Sequence, residues 1–418
     1  MLMLGTESCI IPARAWGEVP APFVWDMGLW RKDEFIVDFE AEGHHYGSQP
    51  LKPWPDLMFA CPVDLATGYG MASGALIWHL GRKCREALPE QGTLALFRLA
   101  YWRKEWLSRE VRAQLQNLAE PHEWAIVLAI PPEIPRVPAA RRVAYTMWET
   151  DTLPDDPNRA SEQWARLLNT WAEVVVVPCQ VQKEVFLRSG VTVPVHVVPL
   201  GLDVGVFQYR ERPPQRKFVI VSHGTLTSRK SPVETLTRVC WAALGDKEDW
   251  LLILKTRGGQ LGGGKFTPII NDDRVVVINR DLSPDGLARL LQHASLGMYL
   301  SRWEGWGLAP REAMATGLPV IWTATSGHLE DCDEGYNIPV PVVGKVPLGQ
   351  YEGGVDEPDF AYAAEKLREE YDAWHKRGRG QSEMGTRAAA WIAGRRSWEK
   401  CASGLINVVQ EANDGGSA

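Results

Sequence analysis

Ser301-Arg-Trp-Glu304-Gly305-Trp306-Gly307-Leu308-Ala-Pro310-Arg-Glu312-Ala-Met-Ala-Thr-Gly317-Leu-Pro319-Val-Ile321 is the stretch on which the reading of this chain turns. The apolar run Leu296–Leu300 just before it has the length and character of a buried strand. Pro310 suits the first turn of a helix, where its missing N–H costs nothing. Gly317-Leu-Pro319 ends that helix and hands over to a second strand, 320–323. Strand, glycine turn and helix N-terminus together make a site for an anionic phosphate, through unpaired backbone N–H groups and the helix dipole. Glu304 precedes the turn and Glu312 lies one helical turn beyond it. Each can accept hydrogen bonds from the hydroxyls of a sugar or a ribose.

Working outward, short apolar runs alternate with helical stretches, which predicts an α/β architecture. Strands are expected at 57–61, 94–99, 124–130, 143–147 and 173–177, and a helix from Met71 to about Arg85. The hydrophilic stretch 208–217, with two prolines and four basic residues, reads as a linker. A second series follows at 218–222, 250–255, 274–278 and 296–300. The expected division is an N-terminal extension at 1–54, a first Rossmann-like domain at 55–210, and a second at 211–394. A returning helix at 395–412 rejoins the first domain, Gly353–Asp359 is expected as a loop, and the tail 413–418 as disordered.

The run from Glu304 to Ile321 resembles the glutamate-pair motif of retaining glycosyltransferases with two Rossmann-like domains, the GT-B fold, and family 4 in particular. That resemblance implies two such domains facing a central cleft, with the last helix crossing back to the first. It implies transfer of a sugar from a nucleoside-diphosphate sugar, a UDP- or GDP-sugar, to a hydroxyl acceptor, without metal or cofactor. Glu312 would grip the donor ribose, Glu304 the donor sugar, and the amides of Gly305, Trp306, Gly307 and Leu308 the diphosphate. His223-Gly224-Thr225-Leu-Thr-Ser-Arg229-Lys230 resembles the family's Gly-Arg-Leu-x-x-x-Lys segment, with Thr225 in place of the arginine and Lys230 matching the lysine. Lys230 would neutralise leaving-group charge, and Lys255 or Arg229 would supply the missing cation. Gly68-Tyr69-Gly70 resembles the family's glycine loop, and Trp148-Glu149 occupies a segment that lines the cleft, where many relatives carry a histidine. The alternative is a catalytically silent GT-B module that binds a nucleotide sugar or glycan.

Composition fits an ordinary globular protein: 418 residues, 45% hydrophobic, 23% charged and a net charge of −7, with no overall basic footprint for nucleic acid. A nucleic-acid acceptor is nonetheless left open, as are glycan, lipid, small-molecule and protein acceptors. Seven scattered cysteines without a C-x-x-C pair predict reduced thiols and a cytoplasmic setting, and no apolar run approaches the length of a membrane span. Two other patterns compete. Gly259 to Phe266 nearly fits a P-loop, but Phe266 stands where Mg²⁺ needs a hydroxyl. Asp331-Cys-Asp333 fits a metal-binding D-x-D, although a surface loop is expected there, and no histidine shows zinc spacing.

Overall fold

A computed structural model of the chain describes residues 57–63, 68–87, 94–102, 122–225, 227–231, 233–256, 272–348 and 352–415. The expected extension at 1–54 and the glycine-rich stretch 259–266 lie outside the described residues. The described residues divide into two compact units. The first comprises 57–203, 352–354 and 396–415, and the second lies within Val204–Leu348 and Val355–Arg395.

The first unit is built on β1 (Leu57–Val63), β2 (Ala95–Trp102), β3 (His122–Leu128), β4 (Ala139–Tyr145), β5 (Val174–Val177) and β6 (Val195–Val197). They pair in the order β2-β1-β3-β4-β5-β6, every pair parallel. Parallel strands are covered on both faces, so they read as continuous apolar runs, and all four valines of β5 are buried. Helices α1 (Gly68–Ala87), α2 (Trp164–Trp171) and α3 (Gln180–Arg188) belong to this unit.

The second unit carries β7 (Phe218–His223), β8 (Trp250–Thr256), β9 (Val275–Asn279), β10 (Leu296–Tyr299), β11 (Val320–Thr323) and β12 (Ile338–Val340). Their order is β12-β11-β10-β7-β8-β9, again all parallel. This is the doubly wound order, in which the direction of winding reverses between β10 and β7. Helices α4 (Val233–Leu244), α5 (Pro284–Gln292), α6 (Leu308–Ala315), α7 (Phe360–Lys376) and α8 (Glu383–Arg395) follow the same alternation. Phe218, Ile220, Leu252 and Met298 turn to one face of the sheet at the two-residue period of a strand. They close a core with Leu236 and Cys240 of α4 and Leu367, Tyr371 and Trp374 of α7.

Three expectations need correction. The segment expected as a loop near Gly353 forms a strand, β14 (Gly354–Pro358), paired with β13 (Val342–Pro347). The stretch read as a linker is anchored: Arg212 is 4% exposed and donates to the carbonyls of Leu291, Ala294 and Thr316. These carbonyls lie at or just beyond the C-terminal ends of α5 and α6, where a cation offsets the negative pole of each helix. The last helix, α9 (Trp398–Gly415), runs into the expected disordered tail, and Asn413 Oδ1 accepts from Trp124 Nε1 at 3.3 Å.

Helix α9 packs in the first unit against α1, with Arg82 donating to Glu399 at 2.9 Å and the Tyr145 hydroxyl reaching Cys401 Sγ. Gly201 permits this approach, since a Cβ there would lie 2.3 Å from the Trp398 nitrogen. Among the described residues no helix is long and apolar enough to cross a membrane. Cys61, Cys84, Cys179, Cys240, Cys332 and Cys401 are free thiols.

Candidate active site

In a doubly wound sheet, ligands bind outside the carboxyl ends of the strands where the winding reverses. In the second unit that point is the C-terminal ends of β7 and β10, where the motif begins. Glu304 sits in the turn after β10, 6% exposed, and three side chains converge on its carboxylate. Ser301 Oγ donates to Oε1 at 2.9 Å, Lys230 Nζ lies 3.1 Å from Oε1, and Arg229 Nη1 lies 3.1 Å from Oε2. Burial alone would raise the Glu304 carboxyl, but Lys230 and Arg229 outweigh it and hold the group far below the usual carboxylate range. Two cations against one anion leave this cluster a net charge of +1.

The backbone of Glu304 is held just as firmly. Ser326 Oγ accepts from the Glu304 N–H at 2.8 Å and donates to its carbonyl at 2.7 Å, while the Gly327 N–H donates to the same carbonyl. Ser326 does this at φ +39°, and Ser231, whose hydroxyl bonds the Leu300 carbonyl, at φ +57°. Positive φ in a non-glycine residue is strained and persists only where neighbours over-determine it, as they do on both flanks of this turn. The misread strand β14 adds to the brace. Asp356 accepts from the Thr325 hydroxyl at 2.6 Å, and Arg302 pairs with Glu357.

Gly307 caps α6 at φ +87°, and an added Cβ there would lie 2.5 Å from His328 Nε2. The His328 ring is fully buried, stacks on Trp322 at 4.6 Å, and donates from Nδ1 to the Thr323 carbonyl at 3.0 Å. Burial pushes it down to about 4, against the opposing pull of Glu304. Arg311, 0% exposed, pairs with Asp331 at 2.6 Å and bonds the carbonyls of Trp306, Gly307 and Gly327. It ties the turn's carbonyls together beside the N-terminus of α6, where the first amides of a helix have no intrahelical acceptor and an anion can bind.

Several expected site residues therefore sit differently from a simple contact set. Trp306 is 2% exposed with the Arg311 guanidinium 3.7 Å above its ring, so only its backbone faces the turn. Arg229 is 5% exposed and bonds the Trp303 carbonyl and Glu304, so it braces the site from below. Lys230 keeps a quarter of its side chain exposed, and Thr225 is exposed. Lys255 lies level with His223 in the register of β7 and β8. Asp331, expected on a surface loop, is buried on Arg311 instead. Among the described residues no cluster of three His, Cys, Asp or Glu could hold a metal ion.

Glu312 is 4% exposed, and its Oε2 lies 2.9 Å from Nε2 of His223, a residue to which the sequence reading gave no role. The Tyr299 hydroxyl lies 2.8 Å from Nδ1 of the same ring. Both residues end strands flanking the reversal point. That would have been the signal for them, but it shows only once strand order is known.

In the first unit, Tyr69, Trp148 and Glu149 come together. The Tyr69 hydroxyl bonds both the N–H and the carbonyl of Met147, and burial pushes it up to about 12, with the nearby Glu149 charge a lesser cause. Gln182 clamps Trp148 through both backbone groups, and the Trp148 ring meets Trp164 edge-on at 4.4 Å. Gly68 is exposed at the start of α1, with nothing within 4 Å of where a Cβ would stand, and Gly70 is buried.

A family model described as family 4 glycosyltransferase in conflict systems matches residues 165–405. No curated protein matches the chain in sequence. Among solved structures, HepE of Anabaena, in complex with UDP-glucose, is similar with a TM-score of 0.59 and 14% identity over 85% of this chain and 99% of that one. Sucrose-phosphate synthase of Thermosynechococcus elongatus is similar with a TM-score of 0.59 and 16% identity over 86% and 99%. At these identities the likeness is one of fold.

Proposed function

The chain belongs to the family 4 glycosyltransferases of conflict systems, and from that premise we propose that it moves a sugar from a UDP- or GDP-sugar to a hydroxyl acceptor, with retention and without metal or cofactor. The observation that carries this reading is the Glu304 cluster. One buried carboxylate holds Lys230 and Arg229 beside the N-terminus of α6, leaving a net positive charge where a diphosphate would leave. Glycosyl transfer through an oxocarbenium-like transition state builds negative charge on the leaving diphosphate, and donors placed in advance stabilise it at no reorganisation cost. Lys230 is the cation that reaches outward, the α6 amides are the neutral donors, and Glu304 sets where Lys230 stands.

Glu312 takes the ribose. It is placed one turn into α6 from those amides, so ribose and diphosphate of one nucleotide can be held together. The acceptor is bound by the first unit, with Tyr69, Trp148 and Glu149 as its candidate contacts. Neighbours of the same fold support a uridine donor, since HepE is seen with UDP-glucose. The reading is tested by nucleoside-diphosphate release from UDP- and GDP-sugars. Lys230→Ala should lower kcat by about 100-fold or more, the order for losing one preorganised charge donor, with a smaller change in KM. Release that survives Lys230→Ala at near wild-type kcat would remove the cluster from the reaction.

A further inference from the structure

The two strands at the reversal point end in polar residues that a core would not choose. Strands β7 and β10 are parallel neighbours with Leu296 opposite Ile220 and Gly297 opposite Val221, so the register carries Tyr299 to the level of His223. The two rings meet edge to face at 5.4 Å and 85°, and Tyr299, His223 and Glu312 are only 5%, 7% and 4% exposed. Bonds of 2.8 Å and 2.9 Å run from the Tyr299 hydroxyl through both nitrogens of His223 to Glu312 Oε2.

Chemistry orients this chain. A carboxylate oxygen only accepts, so His223 Nε2 donates to Glu312 Oε2, and the Tyr299 hydroxyl meets the same ring at Nδ1. Burial raises the Tyr299 hydroxyl well above its ordinary value, which keeps it a donor. Among the described residues none donates to the second oxygen, Oε1.

We infer that His223, itself held by Tyr299, is a positioning residue that fixes the Glu312 carboxylate so that Oε1 alone is presented to the hydroxyls of a nucleotide ribose. The inference rests on the reading of Glu312 as the ribose grip. The chain Tyr299–His223–Glu312 thereby sets discrimination between ribo- and deoxyribonucleotides.

The test is calorimetric binding of UDP and GDP, each with its 2′-deoxy and 3′-deoxy counterparts, to wild type and variants. Wild type should prefer a ribonucleotide over at least one deoxy form by about tenfold or more, the order for a hydrogen bond to a charged acceptor. His223→Leu should erase most of that preference while leaving affinity for the deoxy form within about threefold. His223→Gln, which keeps an N–H donor, should restore part of it. Tyr299→Phe preserves ring shape and should lower the preference by an intermediate factor, so the inference stands testable even if His223→Leu does not fold. An equal fall in affinity for ribo and deoxy forms in these variants would mean a merely structural role and overturns the inference. Glu312→Ala separates the two levels. If it too leaves the preference intact, or wild type binds neither nucleotide, the ribose reading fails and the inference with it. If Glu312→Ala abolishes the preference while the His223 and Tyr299 variants retain it, only the positioning role fails.

Discussion

Replacing Asp331 with alanine strips the Arg311 guanidinium of its counter-ion inside the second unit. The pair is 2.6 Å long with side chains 1% and 0% exposed, so neither charge has water to fall back on. At an effective dielectric of about 20, the Coulomb attraction at that distance is on the order of 6 kcal/mol. Desolvation cancels much of it in the intact pair, but removing one partner leaves the other buried and uncompensated, a loss of about 3–5 kcal/mol. For a unit of this size each kcal/mol lowers the melting midpoint by roughly 2–4 °C, so Asp331→Ala should melt about 6–20 °C below wild type. Thermal melting followed by tryptophan fluorescence reads this, since Trp306 and Trp322 flank Arg311. The matched control is Asp333→Ala, which removes an exposed side chain whose bond is to the Gly335 N–H, and it should cost no more than about 1 kcal/mol. An Asp331→Ala protein that melts within about 2 °C of wild type, or no lower than Asp333→Ala, would refute the view that this pair anchors the turn.

Other outcomes follow from the same geometry. Gly307→Ala forces φ +87° on a residue with a Cβ and drives that Cβ against His328. It should weaken nucleotide-sugar binding by tenfold or more, on the order expected from about 1–3 kcal/mol of backbone strain, and calorimetry would show it. His328, lowered from 6.5 to about 4 in the folded chain, refuses a proton that the unfolded chain accepts. Its contribution to stability is therefore neutral above pH 6.5, falls as pH drops toward 4, and totals roughly 3 kcal/mol. Urea titrations across that window should lose this slope in His328→Gln. Glu304 acts in a separate window. Its folded value is depressed, so its stabilisation is complete above the ordinary 4.5 and drains only as pH falls further, and Glu304→Gln should flatten that acid limb alone. Arg212→Met leaves three helix-end carbonyls without their donor and should cost roughly 3 kcal/mol in chemical denaturation.

What could be read in advance divides along a physical line. The strand–turn–helix unit around Glu304 and Glu312 was legible because every signal in it is local: an apolar run, Gly305 and Gly307, Pro310, then Gly317 and Pro319. Lys230 and Arg229 were legible as cations after a strand. That both would close on Glu304 was not, since the contact spans over seventy residues and depends on the pairing of β7 with β10. The same pairing hid Tyr299 and His223. Local signals also misled. Gly353 and Pro358 suggested a loop, yet cross-strand partners held the segment extended as β14. Asp331 looked solvent-seeking, and the distant Arg311, with Arg395 3.5 Å from its other oxygen, makes its burial tolerable. Hydrophobic pattern reports which residues leave water, but not which buried charges have found each other.

The return of α9 to the first unit bears on the order of events during synthesis. Chains emerge N-terminus first and domains generally fold as they appear. Here the sheet from β1 to β6 emerges early, while the helix that covers α1 is made last. The second unit, residues 204–395 in the main, can close as soon as its own strands have emerged. The unit begun first is thus completed after the second, and a nascent chain of which Arg395 but not α9 has left the ribosome would carry a finished second unit and a first unit whose α1 still exposes the apolar face that α9 covers.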